Sequence, residues 1–146
     1  MKENLATLLS ERPRSPQKAA MSALEITSRI ANASGDAKGK DLTILDVRGV
    51  FDLSDYFIVV SGRSDRHAQG ICNRVLDELH ELGVEPVSIE GLEDGQWILV
   101  DFGDVVMHVF YEPVRKRYDI ESLWMRAKRL EVRRQEGTGQ LQVRAA

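Results

Sequence analysis

Apolar residues recur along the chain in two rhythms, and each change of rhythm marks an element. Ala19, Ala23, Ile26 and Ile30 are spaced four, three and four apart, which places them on one helical face. Ser15-Pro16 reads as the start of that helix, an N-cap with proline at the first helical position, and Ser34-Gly35 as its stop. The pattern then becomes continuous and β-branched. Leu42–Val47 predicts a buried strand, and Tyr56–Val60 a second, stronger one. Ser61-Gly62-Arg63-Ser64-Asp65 is a turn with Ser64 as N-cap. After it, Ala68, Ile71, Cys72, Val75, Leu79 and Leu82 form a single stripe on a long amphipathic helix that Gly83 ends. A brief strand is expected at Val87–Ile89. Trp97–Asp101 and Val105–Tyr111 form a hairpin through Phe102-Gly103-Asp104, and Pro113 ends its second strand. Asp119 can cap a short helix whose apolar face is Ile120, Leu123, Trp124 and Ala127.

This order of elements predicts one domain of the α/β or α+β class, with a mixed sheet of about five strands flanked by helices. Residues 1–14 read as a flexible leader and 15–127 as the folded domain. The basic, glycine- and glutamine-containing stretch 128–146 reads as a tail that frays or is disordered. With 146 residues there is room for one ordinary core, and no apolar run has the length of a membrane span. The single cysteine, Cys72, excludes an internal disulfide framework, and a reducing, cytoplasmic setting is the simplest expectation.

The net charge of −3 conceals a strong segregation. Asp41–Glu112 holds fifteen acids, four arginines and no lysine, whereas the segments before and after it are both net basic. Such a centre repels phosphate backbones and suits a basic partner.

Candidate chemistry is sparse. The turn at Ser61-Gly62 sits where a phosphate loop would, yet it lacks both GxGxxG and a GK[ST] ending. Asp101 and Asp104 could be a metal pair, but they stand three apart across a tight turn, where aspartates commonly bond their own backbone. His67, His80 and His108 show no ligand spacing, and His108 shares a strand face with Val106 and Phe110. Cys72 lies within a core stripe. No cofactor, metal or catalytic set is expected. Trp97 opens a strand beside Glu93 and Asp94, and an aromatic ringed by charge is the usual composition of a binding anchor.

The segments LDVRG, SDYFIVVSGRSDRHAQGI, WILVDFGDVVMHVF and RYDIESLW, in this order and spacing, resemble the Iojap/RsfS family of ribosomal silencing factors, over about Lys40 to Ala127. Arg63 and Asp65 depart from the small or amide residues more usual in that family. The resemblance implies a fold like that of nucleotidyltransferases without their chemistry, and a homodimer in isolation. It also implies a non-enzymatic role: binding the fourteenth protein of the large ribosomal subunit and blocking the small subunit, so that translation is repressed when nutrients are scarce. By motif, Trp97 would be the contact anchor, Asp101, Phe102 and Asp104 would surround it, and Tyr118 and Trp124 would contribute from the last helix. Two alternatives stay open. One is a nucleotidyltransferase-like enzyme using the Ser61-Gly62 turn with Asp101 and Asp104. The other is an auxiliary ribosomal RNA contact through Arg126, Lys128, Arg129, Arg133 and Arg134.

Overall fold

The structure, a computed structural model, describes residues 21–124 and 126–144. The expected leader and the Ser15-Pro16 helix start lie outside the described residues. The first described helix, α1 (Ala23–Asp36), begins at Ser22, whose Oγ accepts from the Glu25 amide at 3.1 Å. Strand β1 (Lys40–Asp46) runs antiparallel to β2 (Tyr56–Gly62). Helix α2 (Asp65–Glu81) follows, capped by Ser64 as its sequence indicates. Strands β3 (Ser88–Glu90), β4 (Trp97–Asp101) and β5 (Val105–Tyr111) then run antiparallel in succession.

The sheet order is β3-β4-β5-β2-β1, and a sixth strand, β6 (Lys128–Arg129), closes it beside β1. Among the described strands of this sheet, only the β2–β5 pair is parallel. Parallel neighbours need a crossover, and the stretch containing α2 supplies it. This is a single-domain α+β fold with a mixed six-stranded sheet.

Strand alternation divides the core between the two faces. Val105, Met107 and Val109 join Ile58, Val60, Ile98 and Val100 beneath α1 and α2. Ile71, Cys72, Val75 and Leu79 of the α2 stripe are fully or almost fully buried there. Gly62 lets this helix sit close, because a Cβ would lie 2.7 Å from the Ala68 nitrogen. Val106, His108 and Phe110 point to the other face, with Phe57, Val59, Trp97 and Leu99.

Three stretches differ from expectation. Pro113 does not simply end β5: it occupies the first turn of a helix, α3 (Glu112–Tyr118), where its missing N–H costs nothing. Asp119 adopts a left-handed φ of 43°, so α3 is followed by a separate turn of helix, α4 (Ile120–Leu123). Of the apolar face expected there, Ile120 is buried, Leu123 is 69% exposed, and Trp124 lies beyond the helix.

The stretch from Lys128, expected to fray, is structured as far as Arg144. Beyond β6, β7 (Glu131–Arg134) and β8 (Leu141–Arg144) form a hairpin against α1. Asn32 locks it there, donating to the Leu141 carbonyl at 3.0 Å and accepting from the Leu141 amide at 2.7 Å. Leu130, Val132, Leu141 and Val143 face the core at alternate positions while the arginines stay outside. That alternation outweighs the charge between them.

Candidate partner-binding face

The second sheet face carries an aromatic ladder. Trp97 stacks on Phe110 with centroids 4.9 Å apart, and Tyr118 from α3 lies over the indole at 5.5 Å. The Trp97 Nε1–H donates to His108 Nδ1 at 3.1 Å. Since Nδ1 accepts, the proton of this neutral ring belongs on Nε2. His108 has no exposed surface, and burial pushes its pKa down to about 3. A neighbouring cluster holds Trp124 edge-on to Phe51 (5.1 Å) and Phe57 (5.2 Å). Phe57 touches both clusters, with its ring 5.3 Å from that of His108.

These placements revise the role expected of Trp97. Its indole does not protrude: it is 6% exposed and roofed by Tyr118. Tyr118 and Tyr111 are half-exposed, so they form the accessible border of the ladder. Asp101, Phe102 and Asp104 do not surround Trp97 either. They lie at the far end of β4, about 13 Å away at some 3.3 Å per residue. There Asp101 Oδ1 accepts from the Gly103 amide at 2.8 Å, a turn-closing bond. Phe102 is buried in the helix-side core, and the half-exposed Asp104 takes the Asp55 and Tyr56 amides on its carbonyl. Thus the structure brings Trp97 and Tyr118 together, sets Trp124 in the adjoining cluster, and leaves the three hairpin residues elsewhere.

A second organising residue escaped notice in the sequence. Arg115 on α3 is 8% exposed and spends its fork on three elements. It donates to Ser61 Oγ on β2 (3.0 Å), to Thr43 Oγ1 on β1 (3.1 Å) and to both carboxylate oxygens of Glu121 on α4 (3.2 and 2.9 Å). This is the fixing point of the segment that carries Tyr118 and Trp124. The run EPVRKRY reads as exposed charge unless Pro113 is seen to start a helix, which is why the residue was missed.

Around the Ser61-Gly62 turn, three amides are already taken by side chains of the same loop. The Arg63 N–H donates to His67 Nδ1 (2.9 Å), the His67 N–H to Ser64 Oγ (2.9 Å), and the Arg66 N–H to Asp65 Oδ1 (2.7 Å). His67 Nε2–H in turn donates to the Ala37 carbonyl at 2.8 Å. Ser61 Oγ is held by Arg115. Asp101 and Asp104, the carboxylates of the enzymatic alternative, sit in the hairpin turn at the other end of β2, where Asp104 meets Tyr56. Burial pushes the Cys72 thiol up to about 12, which fits a core residue and not a nucleophile. Among the described residues, no helix is long and apolar enough to cross a membrane.

His108 makes stability depend on acid. Its folded pKa, about 3, lies below the unfolded value near 6.5, so the unfolded chain binds the extra proton first. Its contribution is intact above pH 6.5 and falls as the pH drops from there towards 3, by at most about 1.4 kcal/mol per unit. Denaturant midpoints measured across this range should decline for the wild type and less steeply for His108→Leu. Parallel declines would show that other groups govern acid unfolding.

The sheet thus carries α1 and α2 on one face and, on the other, a packed aromatic ladder partly roofed by α3, with tyrosines at its border. Comparison with known proteins places the chain more closely. Residues 20–145 match the family model described as ribosomal silencing factor during starvation (RsfS), and the chain belongs to that family. A ribosomal silencing factor of Chromobacterium violaceum is 45% identical over 68% of this chain and 82% of its own length. A crystal structure of a Chromobacterium violaceum protein superposes with a TM-score of 0.70 at 44% identity, covering 72% of this chain and 88% of that one. The mouse protein named mitochondrial assembly of ribosomal large subunit protein 1 is 31% identical over 58% of this chain and 39% of its own length.

Proposed function

We propose that this protein represses translation by docking on the large ribosomal subunit, through its fourteenth protein, where it sterically blocks joining of the small subunit. The family match over residues 20–145 carries this reading. The role is one of occupancy and not turnover: a protein on an intersubunit surface need only cover ground its competitor requires. An interface of roughly 1,200–2,000 Å² with a few anchors is enough. The proposed contact is the border of the aromatic ladder, Tyr118 and Tyr111, with Trp97 and His108 as the rigid floor and Trp124 beside them. Acidic residues along the centre of the chain favour a basic ribosomal protein over RNA. The exposed Lys128, Arg129, Arg133 and Arg134 on β6 and β7 would supply an auxiliary contact with ribosomal RNA. The free protein would pair as a homodimer.

Co-sedimentation tests this directly. The protein should pellet with purified large subunits, and small subunits added afterwards should form intact ribosomes in amounts that fall with dose. If ribosomes assemble undiminished at every dose, the reading fails.

A further inference from the structure

At the end of the sheet away from the β4–β5 turn, residues of β1, β2, α3, α4 and β6 line a cleft of about 680 Å³. The parallel pair opens onto it: Ser61 is the last residue but one of β2, and Glu112 directly follows β5. The carboxyl ends of parallel strands are where open α/β sheets hold their ligands. Asp41 and Asp119, two of the three described non-glycine residues with a left-handed φ (54° and 43°), line the same cleft. Backbone held in that region gathers at ligand clamps.

The charges of this cleft are only partly spent on one another. Glu121 is bonded to Arg115, Glu112 to Lys40 at 2.9 Å, and Asp119 accepts from Ser122. Lys116 on α3 and Arg129 on β6 stand exposed at the wall and form no ion pair with a described residue. Arg115, 8% exposed, uses four of its five N–H groups on Glu121, Ser61 and Thr43, which leaves one Nη1–H over. Lys40 holds the Glu112 carboxyl below its usual pKa, and Lys116 and Arg63 add to the pull, so positive potential reaches across this rim. The lining decides what fits. No aromatic ring and a single apolar residue, Leu42, border the cleft, so a nucleobase or an acyl chain finds nothing to pack on. Two unpaired cations on separate elements suit a dianion, while carboxylates beside them suit a ligand rich in O–H donors.

We propose that this cleft binds the phosphate monoester of a small polyhydroxy compound, its phosphate held by Lys116, Arg129 and the spare N–H of Arg115, and its hydroxyls donating to Asp41 and Glu112. This goes beyond the ribosomal reading and does not rest on it.

The test is titration calorimetry of the full chain with ribose 5-phosphate, set against ribose and inorganic phosphate, at about 0.15 M salt so that loose surface attraction is screened. Ribose 5-phosphate should saturate a single site, and ribose or phosphate alone should bind at least about tenfold more weakly. Lys116→Ala and Arg129→Ala should each weaken the sugar phosphate by about tenfold. Asp41→Asn, which keeps a residue at ease with left-handed φ, should weaken the sugar phosphate and leave inorganic phosphate unchanged. All three side chains are exposed, so denaturant midpoints should not move. No saturable binding of ribose 5-phosphate up to about 10 mM would overturn the proposal. Phosphate binding as tightly as its sugar ester would reduce the cleft to plain anion attraction and defeat it as well. Variants that bind like the wild type would place the ligand elsewhere, with the same result. Should a variant not fold, the comparison of the three probes on the wild type decides.

Discussion

Arg115→Ala is expected to lower the unfolding free energy by about 3 kcal/mol, the order found when one partner of a buried ion pair is removed. The size follows from what is left behind. The Glu121 carboxylate, on a side chain only 15% exposed, would lose both of its charge-assisted bonds, and Ser61 and Thr43 would lose donors inside the fold. The effect should be local as well as global. With the fork gone, the segment 112–127 would lose its charged tie to β1 and β2 and keep mainly the apolar contacts of Val114, Tyr118, Ile120 and Trp124, so tryptic cleavage after Lys116 or Arg117 should accelerate well before global unfolding. Arg115→Lys keeps a charge but cannot reach two strands and a carboxylate at once, so it should recover only part of the loss. Denaturant unfolding together with limited proteolysis of both variants checks this. A change below about 0.5 kcal/mol would place Arg115 among ordinary surface charges.

Why this residue was hidden, while most of the fold was not, comes down to the range of the forces involved. The α2 stripe, the Ser64 cap, the β4–β5 hairpin and the buried β2 are fixed by neighbours in the chain, and periodicity exposes them. Arg115 draws its meaning from Thr43 and Ser61, 72 and 54 residues away, and no local pattern distinguishes it from the exposed Lys116 and Arg117. The β7–β8 hairpin failed to register for a related reason. Leu130 with Val132 and Leu141 with Val143 do alternate, but the wholly polar and glycine stretch 133–140 between the pairs hides the pattern until Asn32 and α1 are present to receive them. At the candidate site, the residue types were legible and their geometry was not. Trp97 and Tyr118 meet because α3 follows β5 without a gap, and Asp101 and Asp104 stay apart from them because a strand is straight over four residues.

Trp97→Ala should destabilise the protein by roughly 3–5 kcal/mol, the cost of emptying a large aromatic site. This differs from what an exposed anchor would do, since an anchor's truncation costs binding and leaves folding unchanged. Here the indole lies between Phe110 and Tyr118, and its N–H satisfies His108 Nδ1. Removing it opens a cavity beneath the tyrosine that borders the surface. It also leaves a fully buried ring nitrogen with no donor, so association with large subunits should fall as a consequence. Tyr118→Ala separates the two roles. The half-exposed tyrosine contributes less to the core, so this variant should lose co-sedimentation while unfolding within about 1–2 kcal/mol of the wild type. A Trp97→Ala protein that kept its denaturant midpoint yet no longer bound would return the indole to the interface. A Tyr118→Ala protein that bound undiminished would remove the ladder's border from it.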